Sequence, residues 1–353
     1  MTPQRAVEIL GLGMTTAVGL TAPTTAAAVR AGVSLRRETS VLDRRFKPIV
    51  MATVPEADLP ALTPALDATP GLTARQLRML RLGGAALRES VAGVDRVARI
   101  PVLLAVPEPH PGRPPVVGPG FLQQLAAQAE VPFHLERSRV FPQGRAAGFA
   151  ALEEAIERLA SGSDGYVIVG GIDSHLDLYL LAALDSEDRI RAERVFDGFI
   201  PGEGAAFLLL SSAGRGERIG RSPSARIDGA ASAEEPGHRY SEEVYRGDGL
   251  DLAFRRLFAS TTGTVQTVVA GLNGESFNAK EWGVAYIRHR ERFAERFTME
   301  HPVDCLGDTG AALGPMLVGL AAVGIQRGYR RAPCLVWCSS DCAGRGAAMV
   351  SGV

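Results

Sequence analysis

The chain is expected to be an α/β protein, with mostly parallel strands buried on both faces and helices between them. Two observations carry that expectation. Short, apolar, β-branched runs recur from one end of the chain to the other, and segments of helical periodicity separate them. A third observation bounds the size. The 353 residues, 46% of them apolar, suffice for two ordinary domains or for one large unit made of two halves. The same apolar content excludes a disordered chain, and no short period marks a collagen-like or low-complexity one.

In chain order, the first half offers strands at Val7–Leu12, Val102–Val106, Tyr166–Gly170 and Ala205–Leu210. The second half offers Ala225–Ile227, Thr267–Ala270, Cys334–Trp337 and Ala347–Val350. The clearest helix is Arg145–Ala160. Phe149, Leu152, Ile156 and Leu159 form its apolar stripe, Glu153, Glu154, Glu157 and Arg158 face outward, and Gly162 ends it. A second helix is expected from near Thr309 towards Arg327, where alanine and glycine imply close packing on most sides. The stretches Arg36–Gln76, Pro107–Pro119 and Ser232–Gly249 are rich in proline, glycine or charge, and read as loops and surface elaborations. A boundary near Ser211–Ser222 divides the chain into halves of 1–213 and 214–353.

Charge is nearly balanced, at 38 basic against 39 acidic residues, so nothing global favours nucleic acid or an anionic membrane. Lys47 and Lys280 are the only lysines, an arginine bias typical of GC-rich bacterial coding. The four cysteines (Cys305, Cys334, Cys338 and Cys342) crowd towards the C-terminus, unlike a disulfide framework. No histidine or second cysteine pair stands at ligand spacing, so no metal is expected, and no cofactor either. The longest apolar stretch, Ala311 to Ile325, is broken by Gly314, Pro315, Gly319 and Gly324 and falls short of the roughly 20 residues a membrane span needs. No basic-then-apolar leader is visible, and a cytoplasmic protein is expected.

Gly11-Leu12-Gly13 after the first strand invites a dinucleotide-loop reading. Thr16 holds the third glycine position and no acid follows about 20 residues on, so a tight strand-to-loop turn accounts for it better. A far more specific signal is Asp197-Gly198-Phe199-Ile200-Pro201-Gly202-Glu203-Gly204-Ala205-Ala206. It resembles the DGFxxGEGA motif of β-ketoacyl-carrier-protein synthases, members of the thiolase-like superfamily. The resemblance extends along the chain. Ile9–Gly13 with Val18-Gly19 is similar to the family's opening VTGLGxxTxxG, and Ser161-Gly162 with Val167–Ser174 to its SGxxDxxLxGGxD segment. Gly307–Gly314 is similar to GHTxGAAG. The fold this implies is a thiolase-like five-layer α-β-α-β-α arrangement of two similar halves, with the two named helices buried between two sheets.

The family's reaction needs a cysteine at a helix N-terminus to take the acyl group, two histidines that assist decarboxylation, and backbone amides that hold the oxyanion. Carried over by motif, the nucleophile falls on Arg145, sixteen residues before Ser161. The first histidine falls on Asn273, in Asn273-Gly274-Glu275-Ser276, and the second on Asp308. The family's lysine falls near Val303. Cys–His–His has become Arg–Asn–Asp. Arginine is permanently protonated and carries no usable lone pair, so it cannot replace a thiolate. Gln143 lies two residues away, and glutamine does replace the cysteine in chain-length-factor and decarboxylating relatives, yet no cysteine precedes Cys305. None of His110, His134, His175, His238, His289 and His301 lies in a matching motif, and they read as structural or surface residues. Cys342-Ala343-Gly344-Arg345-Gly346 resembles the CxGxG turn of thiolases, which leaves Cys342 a lesser candidate beside its reading as a packed turn residue.

The resemblance therefore implies a catalytically inactive synthase-like protein. Its role would be partner subunit or adaptor in a bacterial acyl-carrier-linked or secretion and assembly pathway. The alternative is an acyltransferase or decarboxylase that works without a cysteine nucleophile. A homodimer, or a heterodimer with a related synthase, is expected, with an edge strand in Phe133–Phe141 pairing across a two-fold axis. An acyl-carrier protein is a further candidate partner. Arg145 and Asp308 are expected to pair in the former active site; Asp308 alternatively caps the helix beginning at Thr309.

Overall fold

In the computed structural model, which describes residues 6–67, 69–95 and 97–353, all eight expected strands are present. In the first half the strands are β1 (Val7–Thr16), β2 (Arg37–Leu42), β3 (Pro48–Met51), β4 (Val102–Ala105), β5 (Arg139–Phe141), β6 (Tyr166–Ser174) and β7 (Glu203–Ser212). The second half holds β8 (Ala225–Glu234), β9 (Val265–Ala270), β10 (Phe293–Glu300), β11 (Cys334–Ser339) and β12 (Gly344–Ser351). The first helices are α1 (Ala22–Arg30), α2 (Pro64–Asp67), α3 (Ala74–Ser90), α4 (Phe121–Ala129), α5 (Ala147–Ala160) and α6 (Leu178–Ser186). Then follow α7 (Asp248–Ser260), α8 (Ser276–Arg288), α9 (Val303–Leu306) and α10 (Leu313–Gln326).

The strand order is β10-β9-β11-β12-β8-β1-β7-β6-β4-β5. Read outward from the middle, the halves repeat one pattern. In each, the outer three strands are parallel and the inner two run antiparallel to their neighbours. The expectation of mostly parallel strands therefore needs correction. Apolar runs report burial on both faces, and helical cover supplies that burial whichever way a strand runs. The expectation of two separate sheets is corrected as well. Val7–Ile9 of β1 pair with Ala225–Ile227 of β8 and join the half-sheets into one hydrogen-bonded sheet.

The layering survives that junction, because alternate residues of each strand face different cores. Leu103, Val167, Val169, Leu208 and Leu210 join α5 and α10 in the central core, while Val102, Leu104, Ile168, Phe207 and Leu209 pack with α3. In the second half Val336, Ala348 and Val350 face the central core, and Leu335, Trp337, Ala347 and Met349 face α7. Helices α5 and α10 each touch strands of both halves, as helices between two sheet layers must. Their close crossing requires Gly148, where a Cβ would stand 2.4 Å from Cδ of Pro315.

Other segments depart from the pattern reading. Arg36–Gln76 holds the β2–β3 hairpin and the start of α3, and is not purely loop. β2 is polar and half-exposed, and β3, though apolar with Ile49 and Met51 buried, is only four residues long. Helix α3 opens on a capping box between Thr73 and Gln76. β10 mixes exposed Glu295 and Arg296 with Phe293, Phe297 and Met299, which hides it from an apolar-run criterion. Helix α5 begins two residues later than expected and α10 about one turn later, after 3₁₀ turns at Gly144–Ala146 and Gly310–Ala312. Among the described residues no helix is long and apolar enough to cross a membrane.

Candidate functional site

Strand β5 leads into a sharp turn at Gly144, whose φ of +63° favours glycine and where a Cβ would lie 2.7 Å from Oε1 of Glu108. The next residue, Arg145, points inward at the head of α5 and is only 3% exposed. Its Nε donates to both carboxylate oxygens of Asp308, at 3.0 and 2.7 Å, and its Nη2 lies 2.6 Å from Oδ2. Nη1 donates to Asp341 Oδ1 at 2.9 Å. The ion pair exists, and Oδ1 of Asp308 also accepts the Gly310 amide at 3.0 Å, although Thr309 and Ala312 are the N-caps of the 3₁₀ turn and of α10 and neither element has a side-chain cap. Asn273 completes the cluster by donating from Nδ2 to Asp308 Oδ2 at 2.9 Å. The three positions carried over from the motifs thus meet on one carboxylate.

They are half of a larger ring. Asp341 accepts from Arg189 through both oxygens, at 2.9 and 2.8 Å, and Arg189 clasps Glu275 through Nε and Nη2 at 2.8 and 2.9 Å. Asn273 Nδ2 also donates to Glu275 Oε2 at 3.0 Å, which closes the circuit Asn273–Asp308–Arg145–Asp341–Arg189–Glu275. Arg239 reaches Glu275 from outside at 2.9 Å, so three guanidinium groups face three carboxylates. Burial pushes the Asp308 carboxyl up, but the Arg145 charge outweighs it, with help from His175, and holds it at about 2. Asp341 is likewise raised by burial and carried well below the usual carboxylate range by Arg145 and Arg189. Asp308 and Asp341 therefore stay ionised at neutral pH.

Glu108 is the surplus acid of this neutral set. Its oxygens accept the amides of Asp341 and Cys342 at 2.8 and 2.9 Å, contacts that favour a carboxylate. Burial and the adjacent Asp341 charge outweigh those amides and Arg145, and push its carboxyl up to about 7. From about pH 4.5 to 7 the folded chain therefore holds a proton that the unfolded chain releases, and stability falls as pH rises through that window. The effect is on the order of 3 kcal/mol at most. Burial raises Glu281 and Glu89 in the same direction. Glu108→Gln isolates the contribution. Thermal melts from pH 5 to 8 should show a falling melting temperature for the native chain and a flatter profile for the variant.

The remaining candidates fall outside the ring. Gln143 is exposed and lines a cleft with Ser232, Arg256 and Arg345, so the shifted register is not the one at the buried turn. The Cys342 amide is tied to Glu108, and burial pushes its thiol up to about 12. Burial raises Cys305, Cys334 and Cys338 as well, which leaves no thiolate among the four. His175 is buried, with Nδ1 3.1 Å from the Gly202 carbonyl oxygen and its ring edge-on to Phe199. His289 corrects the surface reading. It packs against Phe254 and Phe258 and lies 2.9 Å from Oδ1 of Asp251.

The long glycine-rich motif proves to be scaffold. Asp197 accepts the Ser276 amide and hydroxyl at 2.6 Å each at the start of α8, and Arg78 clasps buried Glu203 at 2.6 Å. Arg189, Glu275, Asp341 and Glu108 are the site residues that motif reasoning missed. Their one available signal is adjacency, since Glu275 follows Asn273 by two residues and Asp341 precedes Cys342. Beside Arg145 a cavity of about 350 Å³ remains, walled by the 107–116 loop and by Arg75, Asp173, His175, Tyr240 and Asp341.

Comparison with known proteins places this geometry. Residues 144–215 match the β-ketoacyl synthase N-terminal domain. No curated protein matches the chain in sequence. The solved structure described as the ishigamide ketosynthase/chain length factor is similar with a TM-score of 0.79 at 17% identity, covering 99% of this chain and 100% of that one. A type II PKS acyl-carrier protein in complex with its ketosynthase bound to the hexaketide gives 0.77 at 15% identity, covering 100% of both chains. Ketosynthase twelve of the bacillaene polyketide synthase from Bacillus amyloliquefaciens gives 0.74 at 14%, covering 99% of this chain and 73% of that one.

Proposed function

We propose that this chain, which has the fold of the solved ketosynthases and matches the β-ketoacyl synthase N-terminal domain over residues 144–215, is a non-catalytic partner subunit of an acyl-carrier-linked assembly. One observation carries this reading. The head of α5, where the family's acyl-accepting thiol stands, is filled by Arg145 locked into a charge-balanced ring. A guanidinium held by two carboxylates offers no nucleophile, no thiol or hydroxyl stands in the ring, and its carboxylates are each engaged by guanidinium groups. Similarity to a ketosynthase/chain length factor and to a ketosynthase bound to an acyl-carrier protein supports the choice of partners, a related synthase and a carrier protein.

Pairing would use the end of the sheet. β5 is the terminal strand, bonded to β4 on one side only among the described residues. An uncovered edge of this kind is a template for a second chain. Light scattering of the purified protein at micromolar concentration should give a two-chain mass; a monomer there would contradict the subunit reading. A second reading, an acyl-thioester-processing enzyme without a cysteine, draws on the cavity beside Arg145. Turnover of acyl thioesters by the native chain, abolished by filling that cavity, is the result that would favour it.

A further inference from the structure

We propose that the groove between α1 and the C-terminal end of α10 is a binding site for a planar aromatic carboxylate, anchored by Arg30. The inference does not depend on the partner-subunit reading. The groove holds a cavity of about 720 Å³, within the range that small-molecule sites occupy. The charge ring lies at the other end of α10, whose 14 residues span about 20 Å, so the two sites are separate.

Arg30 is the last residue of α1, and its guanidinium carbon stands over the Tyr329 ring, 4.4 Å from the ring centre. That contact steadies the side chain and leaves its N–H edge open to solvent. Among the described residues the guanidinium makes no hydrogen bond or ion pair, and neither does that of Arg327, exposed on the same lining. The helix ends do not require these side chains. The last carbonyls of α1 already accept the amides of Ala31, Gly32 and Val33, and those of α10 the amides of Arg327, Gly328, Tyr329 and Arg330. A planar fork of free N–H donors matches the two oxygens of a carboxylate. The acid on the lining is Glu89. It accepts the amides of Met14 and Ala22, and burial pushes its carboxyl up, which lessens its repulsion of an anion.

The walls set the shape of the rest of the ligand. Ala22, Pro23, Ala26 and Ala27 of α1 contribute only short side chains, and Leu12, Val323 and the half-buried Tyr329 ring complete the apolar surface. A smooth wall of this kind favours a flat, rigid ring, which buries a large area and has little conformational freedom to lose. A hydrated inorganic anion would leave the wall unused. An aryl carboxylate uses both the wall and the cation.

Isothermal titration of the full chain with sodium 2-naphthoate tests the proposal, with 2-naphthalenemethanol, sodium octanoate and inorganic phosphate as the other arms. Saturable one-to-one binding of naphthoate is expected, with each other probe weaker by about tenfold or more, the scale of one anchor lost. Arg30→Ala, a change at an exposed side chain, should weaken naphthoate by about five- to tenfold and leave the melting temperature unchanged. Ala27→Phe, at an exposed position on the wall, fills the groove and should abolish binding by a chain that still melts as the native one does. Absence of saturable naphthoate binding would overturn the proposal, as would any other probe binding equally well. Native affinity in either variant would do the same, because it would place the naphthoate elsewhere on the molecule.

Discussion

Replacing Arg145 with alanine should lower stability by about 3–5 kcal/mol, the range for breaking a buried ion pair. For a chain of this length that corresponds to a fall of roughly 4–7 °C in melting temperature. The loss comes from what stays behind. Asp308 is fully buried and would retain only Asn273 and the Gly310 amide, while Asp341 would lose one of its arginines. An exposed arginine such as Arg255, with 67% of its side chain accessible, should cost no more than about 0.5 kcal/mol when removed. The double change Arg145→Met with Asp308→Leu should recover much of the loss, because it removes both desolvated charges and leaves Asp341 with Arg189. Thermal or chemical denaturation of the three variants checks the set; an Arg145→Ala chain as stable as the native one would mean that the pair contributes nothing.

Arg189→Met should be at least as damaging, again by about 3–5 kcal/mol. Arg189 is 2% exposed and donates two hydrogen bonds to Glu275, two to Asp341 and one to the Tyr240 hydroxyl. This variant separates a ring from an isolated Arg145–Asp308 pair. Each single replacement leaves Asp341 one close arginine. The Arg145→Met/Arg189→Met double leaves it only Arg239, whose Nε is 3.9 Å away. Its loss should therefore exceed the sum of the singles by on the order of 1 kcal/mol. Strict additivity would show that the two arginines act independently.

The features legible in the sequence are those written in local periodicity or in glycine geometry. Arg145 was placed by its distance from Ser161-Gly162, and Asp308 by the glycine-rich turn that follows it, and the fold brings both to the same point. The alanine- and glycine-rich faces of α5 and α10 foretold a helix layer between sheets. Strand direction was not legible, because burial on both faces looks the same for parallel and antiparallel strands. Nor was the ring. Arg189 and Glu275 are separated by 86 residues and Arg189 and Asp341 by 152, and neither spacing carries a local pattern. Glu108 lay hidden for the same reason, in a proline-rich loop whose charge looks solvent-facing until Asp341 and Cys342 are folded onto it.

On the proposed reading, a closed ring of buried charges stands where the resembled family has its acyl-accepting thiol. The most direct test of that reading is intact-mass spectrometry of the full chain after incubation with acyl-carrier and coenzyme A thioesters. The ring, together with four thiols all raised by burial, predicts an unchanged mass. A stoichiometric acyl adduct, on Cys305, Cys342 or any other side chain, would contradict it.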